Sequence, residues 1–128
     1  DIDRFVLFEG DTGPYLLYGY ARARSILRKA RYKSKFLKEF PQISESEKRL
    51  VTYLKNFPNV VNKAYEELAP NIIANYSYSL VQTFNEFYHS EKVIGSENQD
   101  FRLALVEAFS QVLKNSLHLL GISAVEEM

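Results

Sequence analysis

Apolar residues recur at intervals of three and four along almost the whole chain, the spacing of helices that bury one face. After a short apolar patch and turn in "DIDRFVLFEGDTG", Pro14 stands where a first-turn proline belongs, because its fixed φ suits the helix and its missing donor is not needed there. The pattern predicts a long helix from about Tyr15 to about Glu39, with Leu16, Tyr20, Ala23, Leu27 and Ala30 on its core stripe and Pro41 as its stop. Ser44 and Glu47 form a capping-box pair, so a second helix is expected from there to about Phe57, where Pro58 intervenes. A third covers "VVNKAYEEL", and Pro70 opens a fourth, "NIIANYSYSLVQTFNEFYHSEKV". The polar "GSENQD" reads as a turn. The fifth helix is expected from about Asp100 to Leu120. It has Phe101, Leu105, Ala108, Val112 and Leu119 on one stripe, Leu103, Val106, Leu113, Leu117 and Leu120 beside it, and Gly121 as C-terminal cap. No strand alternation, repeat or low-complexity stretch interrupts this. The expectation is an all-α bundle of about five helices.

A chain of 128 residues with 46% apolar content suits one compact domain. Its formal net charge is zero, so no global field draws it to nucleic acid or to a membrane. The distribution of charge says more. From Arg22 to Lys38 there are eight basic residues and no acidic one; from Glu39 to Met128 there are seven basic against twelve acidic. There is no cysteine, which excludes disulfides and thiolate metal sites and fits a reducing compartment. No apolar run approaches the ~20 residues of a membrane span. The first residue is Asp and no signal-peptide pattern follows, so the chain reads as a piece of a longer protein.

Catalytic chemistry finds little foothold. The two histidines, His89 and His118, lack a second ligand at a metal spacing. No nucleophile elbow or phosphate-binding glycine loop occurs, and the five glycines do not cluster. "RYKSK" faintly echoes the lysine-rich loop of class I aminoacyl-tRNA synthetases, but it falls late in a predicted helix and begins with Arg31 where that loop has lysine. The segment "GPYLLYGYARARSILRKARYK" is different. Tyr15, Tyr18 and Arg22 are three and four apart and share a helix face, which Lys29 continues. Phenol rings beside a guanidinium can stack unpaired bases while the cations meet phosphates. The same spacing is also met by half-buried packing tyrosines and a solvated cationic face.

"FEGDTGPYLLYGYARARSILRK", "FNEFYHSEKVI" and "RLALVEAFSQVLKNSLHLLGISAVEEM" together resemble the C-terminal helical "DALR" anticodon-binding domain of arginyl-tRNA synthetases, from about Phe8 to Met128. The combination of "GDTGPYLLY" with "ARARSI" and an ending "LLGISAVEEM" is hard to obtain from generic helix composition. The resemblance divides the chain into a connector over residues 1–13, following a class I catalytic domain absent here, and the anticodon-binding domain over 14–128. The catalytic HIGH and KMSKS-type motifs do not occur.

By this resemblance, Tyr15, Tyr18, Arg22, Tyr88 and the terminal Met128 would meet the anticodon loop, and Arg24, Arg28 and Lys29 are phosphate-contact candidates. Arg24 lies off the stripe. The sequence departs from family members at Leu17 and Tyr20, where Gln and His are frequent, and at Glu127, where Arg is frequent. A carboxylate near phosphates is unfavourable, so Glu127 is expected to point away or to pair with a cation. The implied partners are arginine tRNA, through its anticodon stem-loop, and the enzyme's own catalytic domain, the whole acting as a cytoplasmic monomer. The implied cofactors are none within this segment, with ATP, Mg and L-arginine used by the full ligase. All arginine anticodons share a middle C, which such a site would read splayed out and stacked. Two other readings are a helical anticodon-binding domain of another class I synthetase, such as that for cysteine or methionine, and a helical interaction module with no RNA role.

Overall fold

The computed structural model describes residues 12–124. Among them lie five α-helices and no strand: α1 (Gly13–Lys29), α2 (Glu45–Lys55), α3 (Phe57–Glu66), α4 (Pro70–Ser90) and α5 (Gln99–Leu119). Three of these begin with a proline in the first turn, as the missing donor allows. α2 starts with the expected capping box, in which the Glu47 amide donates to Ser44 Oγ and the Ser44 amide donates to Glu47 Oε1. Pro58 does not separate helices by itself; Asn56 is the single residue between α2 and α3. α5 ends at Gly121, whose φ of 78° closes the turn, with the Ile122 amide reaching the Leu117 carbonyl at 2.9 Å.

α1 ends ten residues before the expected Glu39. Arg31 turns left-handed, with φ of 51°. The Tyr32 amide donates to the Leu27 carbonyl at 2.9 Å and the Arg31 amide to Arg28 at 3.0 Å, the bond pair that closes a helix at its C-terminus. Residues 32–44 then form a strap along α5, without helix. Tyr32 Oη donates to Glu107 Oε1, Lys35 pairs with Asp100 at 2.8 Å, and the Phe40 ring meets Phe101 edge-on. "RYKSKFLKEF" has good helix formers and no breaker before Pro41, so these contacts with residues distant in sequence override local propensity. "KSK" accordingly lies in the strap, not in a helix.

The core is formed where α4 and α5 pack on α1, with α2 covering the other side. Leu16, Tyr20, Ala23 and Leu27 are buried on α1 as expected, and Ala30 is half-buried. On α5 the core draws on both expected stripes: Leu103, Val106, Leu113 and Leu117 are buried with Leu105 and Phe109, and Phe101 and Val112 pack against them, while Ala108 and Leu119 face solvent. Both stripes are apolar, so periodicity does not set the rotation of the helix. The Phe109 ring marks it, stacking on Phe84 of α4 with centroids 4.0 Å apart and planes 4° from parallel.

Candidate functional site

α1 and α4 run side by side, and Gly19 is what lets them approach. A Cβ at Gly19 would come within 2.9 Å of Val81 Cγ1, closer than packed side chains tolerate. This contact brings residues 15–22 of α1 alongside residues 78–88 of α4. Tyr15 meets Tyr78 with ring centroids 5.2 Å apart. Two turns on, Arg22 meets Asn85 and Tyr88. Arg22 Nη1 donates to Asn85 Oδ1 at 3.1 Å, and Asn85 Nδ2 donates to Tyr15 Oη at 3.1 Å. The Arg22 guanidinium carbon lies 5.2 Å from the centre of the Tyr88 ring, a cation–π distance.

Tyr88 is supported from beneath. Its ring lies 6.2 Å from that of Phe84 and within 16° of parallel, and Phe84 in turn stacks on Phe109. Three stacked, nearly parallel rings thus lead from the buried core to the surface, where Tyr88 is 37% exposed. An aromatic ring so backed keeps its orientation without further contacts. Burial pushes the Tyr15 phenol above its ordinary pKa, an effect that the Asn85 hydrogen bond and the Arg22 charge reduce. At neutral pH Tyr15 is therefore a neutral hydroxyl.

Three of the expected site residues, Tyr15, Arg22 and Tyr88, are thus brought together, although Tyr88 is far from both partners in the chain. Tyr18 stands on the same stripe of α1 but projects outward, 60% exposed. Lys29 and Arg28 are exposed at the C-terminal end of α1. Arg24 is turned away from α4. With Arg28, Arg31 and Tyr32 it lines a shallow cleft against Glu107 of α5. Met128 and Glu127 lie outside the described residues, as does most of the connector. Leu17 is half-buried and Tyr20 is a core residue, so Tyr20 offers no polar group in the manner of a surface His. Asn85 and Tyr78 escaped the sequence reading. The signal was present: Tyr78, Asn85 and Tyr88 lie seven and three apart, on one face of α4.

Behind this juncture an ion cluster holds the segment after Tyr88. Arg102 Nε donates to Glu47 Oε2 at 3.1 Å, Nη2 to Glu91 Oε1 at 3.0 Å and Nη1 to the Lys92 carbonyl at 2.7 Å. Glu47 is buried, and its other oxygen closes the α2 capping box. Among the described residues no group of three His, Cys, Asp or Glu side chains could hold a metal ion, and no helix is long and apolar enough to cross a membrane.

Comparison with known proteins shows the family to which this fold belongs. The model of the DALR anticodon binding domain matches residues 16–128. Arginine–tRNA ligase of Lactococcus lactis is 45% identical over 130 residues, covering 100% of this chain and 23% of that protein. The ligase of Streptococcus pneumoniae is 40% identical over 129 residues with the same coverage. Among solved structures, arginyl-tRNA synthetase of Thermus thermophilus superposes with a TM-score of 0.83 at 36% identity, over 94% of this chain and 22% of that one. The Plasmodium falciparum enzyme superposes with a TM-score of 0.79 at 30% identity, over 100% of this chain and 23% of that one. The chain thus spans about a quarter of the length of the relatives it matches. With the helical fold and the family model over residues 16–128 in accord, the chain belongs to the DALR anticodon-binding domain family, as found in arginine–tRNA ligases.

Proposed function

We propose that this chain grips the anticodon stem-loop of arginine tRNA and reads its middle base, cytosine, at the α1–α4 juncture. The observation that carries the reading is the convergence of Tyr15, Arg22 and Tyr88 on one surface, two half-exposed rings and a guanidinium. A splayed base stacks on such rings, and each stack is worth ~1–3 kcal/mol. Tyr15, Tyr18 and Tyr88 supply the walls. Arg22, Lys29 and Arg28 meet loop and stem phosphates, contacts that position the RNA without reading sequence. Arg24 belongs to a different face and contributes less. Met128 would lie over the base as a lid, on the strength of the family resemblance alone. One chain provides every one of these groups, so a monomer suffices.

In the whole ligase the reading implies ATP-dependent joining of L-arginine to its tRNA, in the cytoplasm. ATP with Mg and L-arginine would be held by the catalytic part that this chain does not span, where ATP activates the amino-acid carboxylate. This chain's part is to bind and orient the tRNA.

The test is a titration of the chain with an arginine-tRNA anticodon hairpin at two salt concentrations, against the same hairpin with its middle C replaced. Salt-sensitive binding that collapses with the replacement is expected. Equal binding to both hairpins would leave a phosphate grip with no reading of the base. Salt-independent binding would remove the RNA role, because phosphate neutralisation makes affinity fall steeply with salt.

A further inference from the structure

The strap leaves two aromatic rings in water, and the proposed function gives them no task. Phe36 is 88% exposed and Phe40 is 73% exposed. With Phe101 of α5 they line a surface cavity of about 420 Å³, within the ~300–1,000 Å³ of sites that hold small molecules. Phe101 braces Phe40 edge-on, with centroids 6.3 Å apart. A contiguous exposed apolar patch of this kind marks a surface that meets a partner.

The cavity shares an end of the fold with Tyr88. Tyr88 stands in the last turn of α4, Phe101 in the first turn of α5, and residues 91–98 join the two. Glu97 and Asn98 of that connection form part of the cavity wall. The cavity also lies on α1's side of the α4–α5 pair. The strap leaves the C-terminus of α1 and is held by Glu107 and Asp100, seven apart on one face of α5. Arg102 points away from that face, to Glu47 of α2. Charge then narrows the choice of partner. Lys33 and Lys38 bracket Phe36 and stay exposed, while Asp100 neutralises Lys35. Bare rings interleaved with cations suit single-stranded nucleic acid, where rings take the base faces and cations the backbone. Glu39 and Glu97 keep a phosphate out of the cavity itself, but a carboxylate accepts from the amino group of a base.

We propose that the strap is a second base-binding subsite, at which an unpaired loop base other than the middle one stacks on Phe36 and Phe40 while Lys33 and Lys38 meet its phosphates. This rests on the reading that the α1–α4 juncture holds the middle base of the same loop. Every base has a flat face, so the strap adds affinity and orientation, and the reading of sequence stays with the juncture.

The experiment uses the arginine-tRNA anticodon hairpin with one loop nucleotide at a time made abasic, which removes a base and keeps its phosphate. For the wild-type chain, an abasic nucleotide at one position besides the middle is expected to lower affinity about tenfold, the effect of one lost stack. Phe36→Ala and Phe40→Ala are each expected to lower affinity for the intact hairpin about tenfold. In either variant that abasic position should then make no further difference, because ring and base lose the same contact. Wild-type affinity in either variant overturns the proposal and leaves the rings to a protein partner. Additive losses, or a wild-type chain indifferent to every abasic position besides the middle, overturn it as well. Among the described residues Phe36 meets no other ring, so should Phe40→Ala lack the wild-type melting transition, Phe36→Ala decides alone. Salt-independent binding by the wild-type chain would instead overturn the underlying reading, so the two failures are distinguishable.

Discussion

Tyr88 owes its position to the rings below it. Phe84 and Phe109 are fully buried, and Tyr88 continues their stack to the surface, with Arg22 against its ring. Offset aromatic pairs are worth ~0.5–1.5 kcal/mol beyond the area they bury, and an exposed cation–π contact adds ~0.5–1 kcal/mol. In the proposed site this support means that base stacking orders no additional side chain. Tyr88→Ala is expected to weaken hairpin binding by ~1–3 kcal/mol and to lower the melting temperature by several degrees through the lost ring contacts, while the fold is kept. Titration alongside a thermal melt checks this, and undiminished affinity in a folded variant would remove Tyr88 from the site. At this scale Tyr15, Arg22 and Tyr88 were legible from residue type, spacing and family resemblance. Asn85 was not, because a polar residue within a helix ordinarily faces water, and only its contacts with Arg22 and Tyr15 show a different use.

Among the helices, two contacts govern whether the site assembles. The first is the approach of α1 to α4 at Gly19 and Val81. In an exposed helix interior, Gly→Ala gains roughly 1 kcal/mol. Here the added methyl would press on a β-branched side chain buried in the core, and overpacking costs ~1–3 kcal/mol. Gly19→Ala is expected to lower stability in urea unfolding and to weaken hairpin binding as the helices separate. A stability gain would show that the pair yields without strain. The second contact is the Arg102 cluster, which ties α5 to α2 and to the segment following Tyr88. Arg102→Ala would strand the buried Glu47 carboxylate without a cation, at a cost of about 3–5 kcal/mol. Chemical denaturation would register that loss; a drop under 1 kcal/mol would mean that Glu47 finds water. The capping box half of this cluster is local and could be read from Ser44 and Glu47. The Arg102 half spans 55 residues and could not.

For the molecule as a whole, the neutral formal charge conceals a sorted surface. The basic run lies on the C-terminal half of α1 and in the strap, and the chain beyond Lys38 is net acidic. Folding divides the run further. Arg24 joins the cleft at Glu107, Lys35 pairs with Asp100, and Arg22 keeps neutral partners, the Asn85 amide and the Tyr88 ring. Arg22 thus retains a full charge for a phosphate. Arg22→Ala is expected to lower hairpin affinity and to flatten the plot of log affinity against log salt by roughly 0.7 to 1. An unaltered slope would show that Arg22 meets no phosphate.

What the sequence determined by itself is what acts over one or two turns: the all-α character, the proline and capping-box starts, the Gly121 stop, the core stripe of α1 and the aromatic–cationic stripe beside it. What only the tertiary structure decided depends on groups far apart in the chain. α1 stops at Lys29 although its sequence favours continuing. The left-handed turn at Arg31 costs ~1–2 kcal/mol locally and is offset by the strap's contacts, such as Tyr32 with Glu107, 75 residues away. α5 buries Leu103, Val106, Leu113 and Leu117 together with Leu105 and leaves Ala108 and Leu119 in solvent, the rotation at which Phe109 stacks on Phe84. The α1–α4 juncture exists because Gly19 admits Val81. Periodicity reports which residues share a face; which face meets which is settled by packing, where shape and the full pairing of buried polar groups both count.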